Sequence, residues 1–82
     1  MNYLEVKIVS PSGILFEDKC HMVIIPTLSG EIGVMSNHES LITSLKEGEI
    51  KILDESEKIT KTFKSQAGFV EIKEKALLIL ID

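Results

Sequence analysis

Leu4-Glu5-Val6-Lys7-Ile8 alternates apolar and charged residues at every step. A period of two sends successive side chains to opposite faces, so the segment reads as a strand with one face buried and the other in water. Ile50 and Ile52 alternate with Glu49 and Lys51 in the same way, and Val70 and Ile72 do likewise. Ile, Val and Thr supply 21 of the 82 residues, whereas Ala occurs only at positions 67 and 76. Stiff β-branched side chains pack well on a pleated sheet and lose freedom in a helix, so this is a strand composition. Turn-forming groups recur every eight to twelve residues or so: Pro11-Ser12-Gly13, Ser29-Gly30, Ser36-Asn37, Glu47-Gly48, Asp54-Glu55-Ser56 and Gln66-Ala67-Gly68. With no helical stretch between strands, antiparallel sheets closed into a sandwich or barrel are expected, because parallel pairing needs long crossovers.

The length fits one domain spanning 1–82, with no linker, repeat or low-complexity segment. Hydrophobic residues at 44% and charged residues at 27% match a folded globule, since disorder needs fewer of the first and more of the second. No apolar run approaches 18 residues, and Glu5 and Lys7 interrupt the start before a signal-peptide core could form. A single cysteine, Cys20, offers no internal disulfide. Two segments are apolar on both faces: Met22 to Ile25 and Leu77 to Ile81. Such strands either pass from one sheet's interior to the other's or present a docking surface. Lys61 shares a face with Ile59 and Phe63 and has no clear place in this pattern.

Charge narrows the function classes. All nine basic residues are lysines, dispersed among thirteen carboxylates for a net charge of -4. Without arginine or a basic stripe, nucleic-acid binding is not expected. Ser36-Asn37-His38-Glu39 is the one local group with a nucleophile beside a base, but nothing suggests an oxyanion donor or third member, so it reads as a self-satisfying polar loop. Cys20 and His21 are adjacent and would face opposite sides of a strand, and two histidines with one thiol do not make a metal site. Gly30-Glu31-Ile32-Gly33 has the spacing of an RNA-clamping GxxG loop, yet its central carboxylate would repel phosphate. No cofactor is expected. One alternative is a lipoyl- or biotinyl-type carrier domain: Asp18-Lys19-Cys20 resembles the Asp-Lys-Ala hairpin of that family, which would make Lys19 the modified residue, although Lys19 comes earlier in the chain than that family's lysine.

Longer matches lie elsewhere. Gly30-Glu31-Ile32-Gly33-Val34, followed by His38 and Leu41-Ile42-Thr43, resembles the hallmark segment of the epsilon subunit of rotary ATP synthases (delta in mitochondria). Val9-Ser10-Pro11-Ser12-Gly13 with Phe16, Leu45-Lys46-Glu47-Gly48-Glu49-Ile50-Lys51-Ile52, Ser65-Gln66-Ala67-Gly68-Phe69-Val70-Glu71-Ile72 and Ala76 to Asp82 follow that family in register across the chain. Ser40 departs from it, standing where the family usually has proline. The resemblance implies a ten-stranded antiparallel β-sandwich of two five-stranded sheets. It implies a non-catalytic subunit of the central stalk that couples the c-subunit ring to the gamma subunit during ATP synthesis. Such a subunit would lie peripherally on the cytoplasmic face of the bacterial inner membrane. Ser29, Gly30 and Glu31 would face the ring, and Ser10, His38, Leu41, Ile42 and Thr43 would contact gamma. The family usually continues past the position of Asp82 into an α-helical hairpin that restrains ATP hydrolysis, so a chain ending there is expected to keep the coupling role without that arm.

Overall fold

A computed structural model describes residues 3–82. Nine strands follow one another: β1 (Leu4–Ser10), β2 (Gly13–Cys20), β3 (Met22–Thr27), β4 (Gly30–Val34), β5 (Leu41–Leu45), β6 (Gly48–Leu53), β7 (Ile59–Ser65), β8 (Gly68–Lys73) and β9 (Ala76–Ile81). Alternation places them as the sequence requires. Leu4, Val6 and Ile8 are buried while Glu5 and Lys7 are exposed, and Val70 and Ile72 alternate likewise with Phe69 and Glu71.

The strands form one hydrogen-bonded path, β2-β1-β9-β8-β5-β3-β6-β7, with β4 added to β3. Two expectations are corrected here. Instead of two five-stranded sheets, a single nine-stranded sheet curls on itself, with β2-β1-β9-β8-β5 as one leaf and β4-β3-β6-β7 as the other. The stretch 35–40 that leads into β5 forms a turn and irregular chain rather than a tenth strand, with the His38 amide bonded to the Met35 carbonyl. The leaves stay joined because β5 and β6 both run along β3: Leu45 pairs with Thr27 and Lys51 with Ile24. Between them the chain bends at Lys46-Glu47, where the Lys46 amide holds the Pro26 carbonyl at 2.9 Å. A strand that switches layers at such a corner makes a continuous curl possible. Second, pairing is not wholly antiparallel, because β1 and β9 run parallel, from Glu5↔Ala76 to Val9↔Leu80. A parallel pair needs a long crossover; here the crossover is the whole run from β2 to β8.

The interior between the leaves is aliphatic: Leu4, Ile8, Val23, Ile25, Val34, Ile50, Val70, Ile72, Leu77 and Ile79 are almost completely removed from water. At the far edges of the path, Phe16 of β2 meets Phe63 of β7 with ring centroids 5.7 Å apart, so side chains close the curl where no ladder does. Tyr3 adds a polar link across the same seam by donating its hydroxyl to Glu55 at 3.0 Å. Lys61 finds its place as an exposed residue of the edge strand β7, opposite Ile52 and beside the bulge at Ile52/Leu53. A lysine and a bulge on an open edge discourage pairing with a foreign strand.

Candidate functional site

Cross-strand partners share a face, so the registers sort the outer surface of the five-stranded leaf into rows. One row runs Ser44, Phe69, Leu80, Val9 and Ile14 across five strands. Three of these are large, apolar and open to water: Phe69 at 58%, Ile14 at 54% and Leu80 at 42%. The next row, two residues along, holds Ile42, Glu71, Leu78, Lys7 and Glu17. Ile42 is 71% exposed and continues the apolar surface, whereas Lys7 and Glu17 face each other at 4.0 Å and turn it into a charged margin. Such a pair contributes little to stability. Contiguous open apolar surface of this kind marks an interaction face.

The both-faces-apolar segments resolve differently. In β9, Leu77 and Ile79 enter the core while Leu78 and Leu80 belong to the outer rows, so passage between interiors does not account for this strand. In β3, Met22 and Ile24 are half-covered on the second face, and the Met22 sulfur lies 3.6 Å from where a Gly33 side chain would begin.

The same registers define one end of the molecule. Thr27, Leu45, Gly68 and Ile81 stand in line, with Ser10 beside Val9 at the matching end of β1. The β1–β2 turn, the β3–β4 turn, the corner at Lys46-Glu47 and the β7–β8 turn therefore gather together. Ser29, Gly30 and Glu31 sit here, all exposed. Their turn is built on Thr27, which is buried yet satisfied: its hydroxyl donates to the Gly30 carbonyl at 2.6 Å and accepts the Ser29 amide at 3.2 Å. Gly30 adopts φ +109°, open to glycine at no steric cost. Ser10 organises the neighbouring turn, accepting the Ser12 amide at 3.2 Å.

The remaining sequence-selected residues separate. Ile42 faces outward, but Leu41 and Thr43 lie in rows with Ile72 and Val70, on the core side of the leaf, and Leu41 is only partly covered there. His38 lies in the 35–40 stretch before β5, away from the end that carries Ser10 and Glu31. Its Nδ1 is 2.7 Å from the Glu39 carbonyl oxygen, to which it donates, so the ring pins its own loop. Leu80 belongs to the segment Leu77 to Ile81 that the sequence marks as apolar on both faces; Phe69 and Ile14 carry no such mark, although the outward parity of Phe69 beside buried Val70 is a signal that could have found the first of them.

Lys19 does not occupy a hairpin tip. It lies within β2, paired with Glu5, and the chain turns only at His21, so the carrier-type presentation is not formed. Cys20 packs against the core, and burial together with the Asp18 carboxylate pushes its thiol up to about 11. A thiol held in that form is a poor nucleophile at neutral pH. Among the described residues, no helix is long and apolar enough to cross a membrane.

Comparison with known proteins agrees with this architecture. Residues 3–82 match the family model described as ATP synthase, Delta/Epsilon chain, beta-sandwich domain. The ATP synthase epsilon chain of Campylobacter concisus is 39% identical over 82 residues, covering 100% of this chain and 63% of that protein. That of Lacticaseibacillus casei is 32% identical over 83 residues, covering 99% and 57%. The chain thus spans about three-fifths of the length of such relatives. Among solved structures, a chain of the Euglena gracilis mitochondrial ATP synthase superposes with a TM-score of 0.88 at 18% identity, covering 99% of this chain and 51% of that one. A chain of the Tetrahymena thermophila central stalk and c ring gives 0.77 at 14%, covering 95% and 62%. At those identities the structural likeness speaks for the fold alone. With a family match over nearly its whole length and full-length alignment to epsilon chains, the protein belongs to the family of the ATP synthase delta/epsilon chain β-sandwich domain.

Proposed function

We propose that this chain is a rotor element of the central stalk of a proton-translocating ATP synthase, joining the c-subunit ring to the gamma subunit and doing no catalytic chemistry itself. It would sit on the cytoplasmic face of the bacterial inner membrane, held there through the complex. The observation that carries the reading is the pair of surfaces on one stiff body: the open row Phe69, Leu80, Val9 and Ile14 with Ile42 on the outer face, and the polar turns with Ser29, Gly30 and Glu31 at one end. A coupling subunit needs two partners on two surfaces and a body between them that does not give. Main-chain ladders and a close-packed aliphatic interior supply that stiffness.

In this reading gamma covers the outer face. Ile42 and the Phe69 row provide its apolar contact, Ser10 lies at its border, and His38 contributes from the stretch before β5, while Leu41 and Thr43, on the core side of the leaf, act only by holding Ile42 outward. Covering a large apolar side chain is worth about 1.5–3 kcal/mol when it starts fully exposed. Four half-open ones therefore contribute about 3–6 kcal/mol, less than the roughly 8 kcal/mol that micromolar binding requires, so further contacts around them must supply the rest and the cost of association. The ring meets the end that carries Glu31, whose exposed pairing to a basic group adds at most about 1 kcal/mol.

Gel filtration of the chain with purified gamma, and separately with purified c ring, tests the reading. Co-elution with both at micromolar concentration or below is expected. Absence of either complex removes the corresponding contact. Glu31→Lys should weaken ring association and leave the thermal midpoint nearly unchanged; a large loss of stability would make Glu31 structural instead.

A further inference from the structure

Leu28 is the most exposed large apolar side chain of those described, at 72%. Neither core packing nor strand alternation accounts for it, and the two tip positions of a tight hairpin ordinarily carry residues suited to water. The tip is nevertheless firmly held. Thr27 braces it from below through Gly30 and Ser29, and the Leu28 amide reaches the Ser44 carbonyl at 3.4 Å on the adjoining strand. Leu28 and Ser29 keep negative φ before Gly30 at +109°, so the turn needs no leucine for its own geometry. An ordered loop that holds an apolar side chain in water has little freedom left to lose when a partner covers it.

We propose that Leu28 is an apolar peg that seats in a pocket on the c ring, with Glu31 beside it paired to a basic group at the pocket's rim. This rests on the reading above that Ser29, Gly30 and Glu31 face the ring, and it adds the side chain that gives that contact its apolar anchor. A central apolar side chain excluded from water, ringed by polar contacts, is the usual source of affinity where surface ion pairs contribute little. A lipid surface fits less well, because Glu31 and Glu47 stand at the same end and the chain carries a net charge of -4, which anionic headgroups repel. One leucine is also too small an anchor for stable membrane attachment.

The test titrates the unaltered chain, Leu28→Ser and Leu28→Met against purified c ring in detergent and against purified gamma. Leu28→Ser should raise the ring Kd about tenfold or more, Leu28→Met should bind within about threefold of the unaltered chain, and gamma affinity and the thermal midpoint should not move. If the ring binds Leu28→Ser as tightly as the unaltered chain, the peg is refuted while the ring-facing end stands. If Leu28→Ser loses gamma instead, the peg belongs to the other surface. Failure of the unaltered chain itself to bind the ring removes both the peg and the reading beneath it. Leucine-dependent sedimentation with vesicles of phosphatidylglycerol and phosphatidylcholine, without ring, would overturn the protein pocket in favour of lipid.

Discussion

Two adjacent rows of the same strands carry nearly the same residue types and meet opposite fates. Val70, Ile79 and Ile8 are fully buried between the leaves, whereas Phe69, Leu80 and Val9, one residue along on β8, β9 and β1, face outward and are open or half-open. Hydrophobicity therefore does not separate the fold from the docking face; parity does. The inner row stabilises the domain by itself, and the outer row has its apolar surface still to cover.

The sharpest way to break this distinction is at Gly68, which opens the strand that carries both rows. It adopts φ +147°, and a side chain there would begin inside the Leu80 carbonyl, which cannot withdraw without disturbing β9. Gly68→Ala should cost about 2–6 kcal/mol in denaturant unfolding, combining backbone strain and overpacking, and should damage both rows at once. Ile79→Ala acts on the inner row alone. Its cavity should cost about 2–5 kcal/mol, and, if the outer row is the gamma face, any protein that remains folded should still bind gamma, since the outward residues are intact.

Cys20 marks the inner side of the boundary and can be read by pH. Its thiol titrates near 8.5 when unfolded and only at about 11 when folded. The raised value means that the native state favours the protonated thiol. Stability from this group is fully present below about pH 8.5 and is lost as pH climbs toward 11, because the unfolded chain gives up its proton first. Urea unfolding should show that decline, and Cys20→Ala should flatten it. An unchanged slope in the variant would place the titration elsewhere. Ser65→Ala tests the corner between the leaves: losing the 2.8 Å bond from its hydroxyl to the Lys46 carbonyl should cost about 1 kcal/mol by the same assay.

How much of this was legible beforehand follows the range of the interactions. Leu4 to Ile8 declares its strand locally, and Ser29-Gly30 and Gln66-Ala67-Gly68 announce their turns, because each signal is carried by neighbours in sequence. Pairing across 70 residues carries no such signal, so the parallel meeting of Val9 with Leu80 was hidden, as was the single Thr27–Leu45 pair that fuses two leaves into one curl. Thr27 itself reads as one more β-branched strand residue; only the folded turn shows its hydroxyl bracing Ser29 and Gly30. The chosen stretch Leu41-Ile42-Thr43 mixes two faces for the same reason. Ile42 is outward, but that follows from β5 pairing with β8, where Ile42 stands opposite Glu71 and Thr43 opposite buried Val70, which sequence spacing does not reveal. Leu28 gives no signal in the sequence, because one leucine in a turn has no period.

The smallest effect on stability is the one that separates the rows most cleanly. Leu80→Ser removes a side chain already 42% exposed at the centre of the outer row. Surface changes of this kind usually stay within about 0.5 kcal/mol, and a half-covered leucine should fall somewhat above that, well below Ile79→Ala. If the outer row is the gamma face, the same substitution puts a hydroxyl in the middle of the interface and should weaken the complex by about tenfold or more in a titration with gamma. Phe69→Ser should repeat the pattern, and the two should combine less than additively in binding because the side chains stand opposite each other on paired strands. Should Leu80→Ser instead unfold the domain while gamma affinity per folded molecule stays the same, the outer row would be part of the domain's own stability, and parity would no longer divide fold from function.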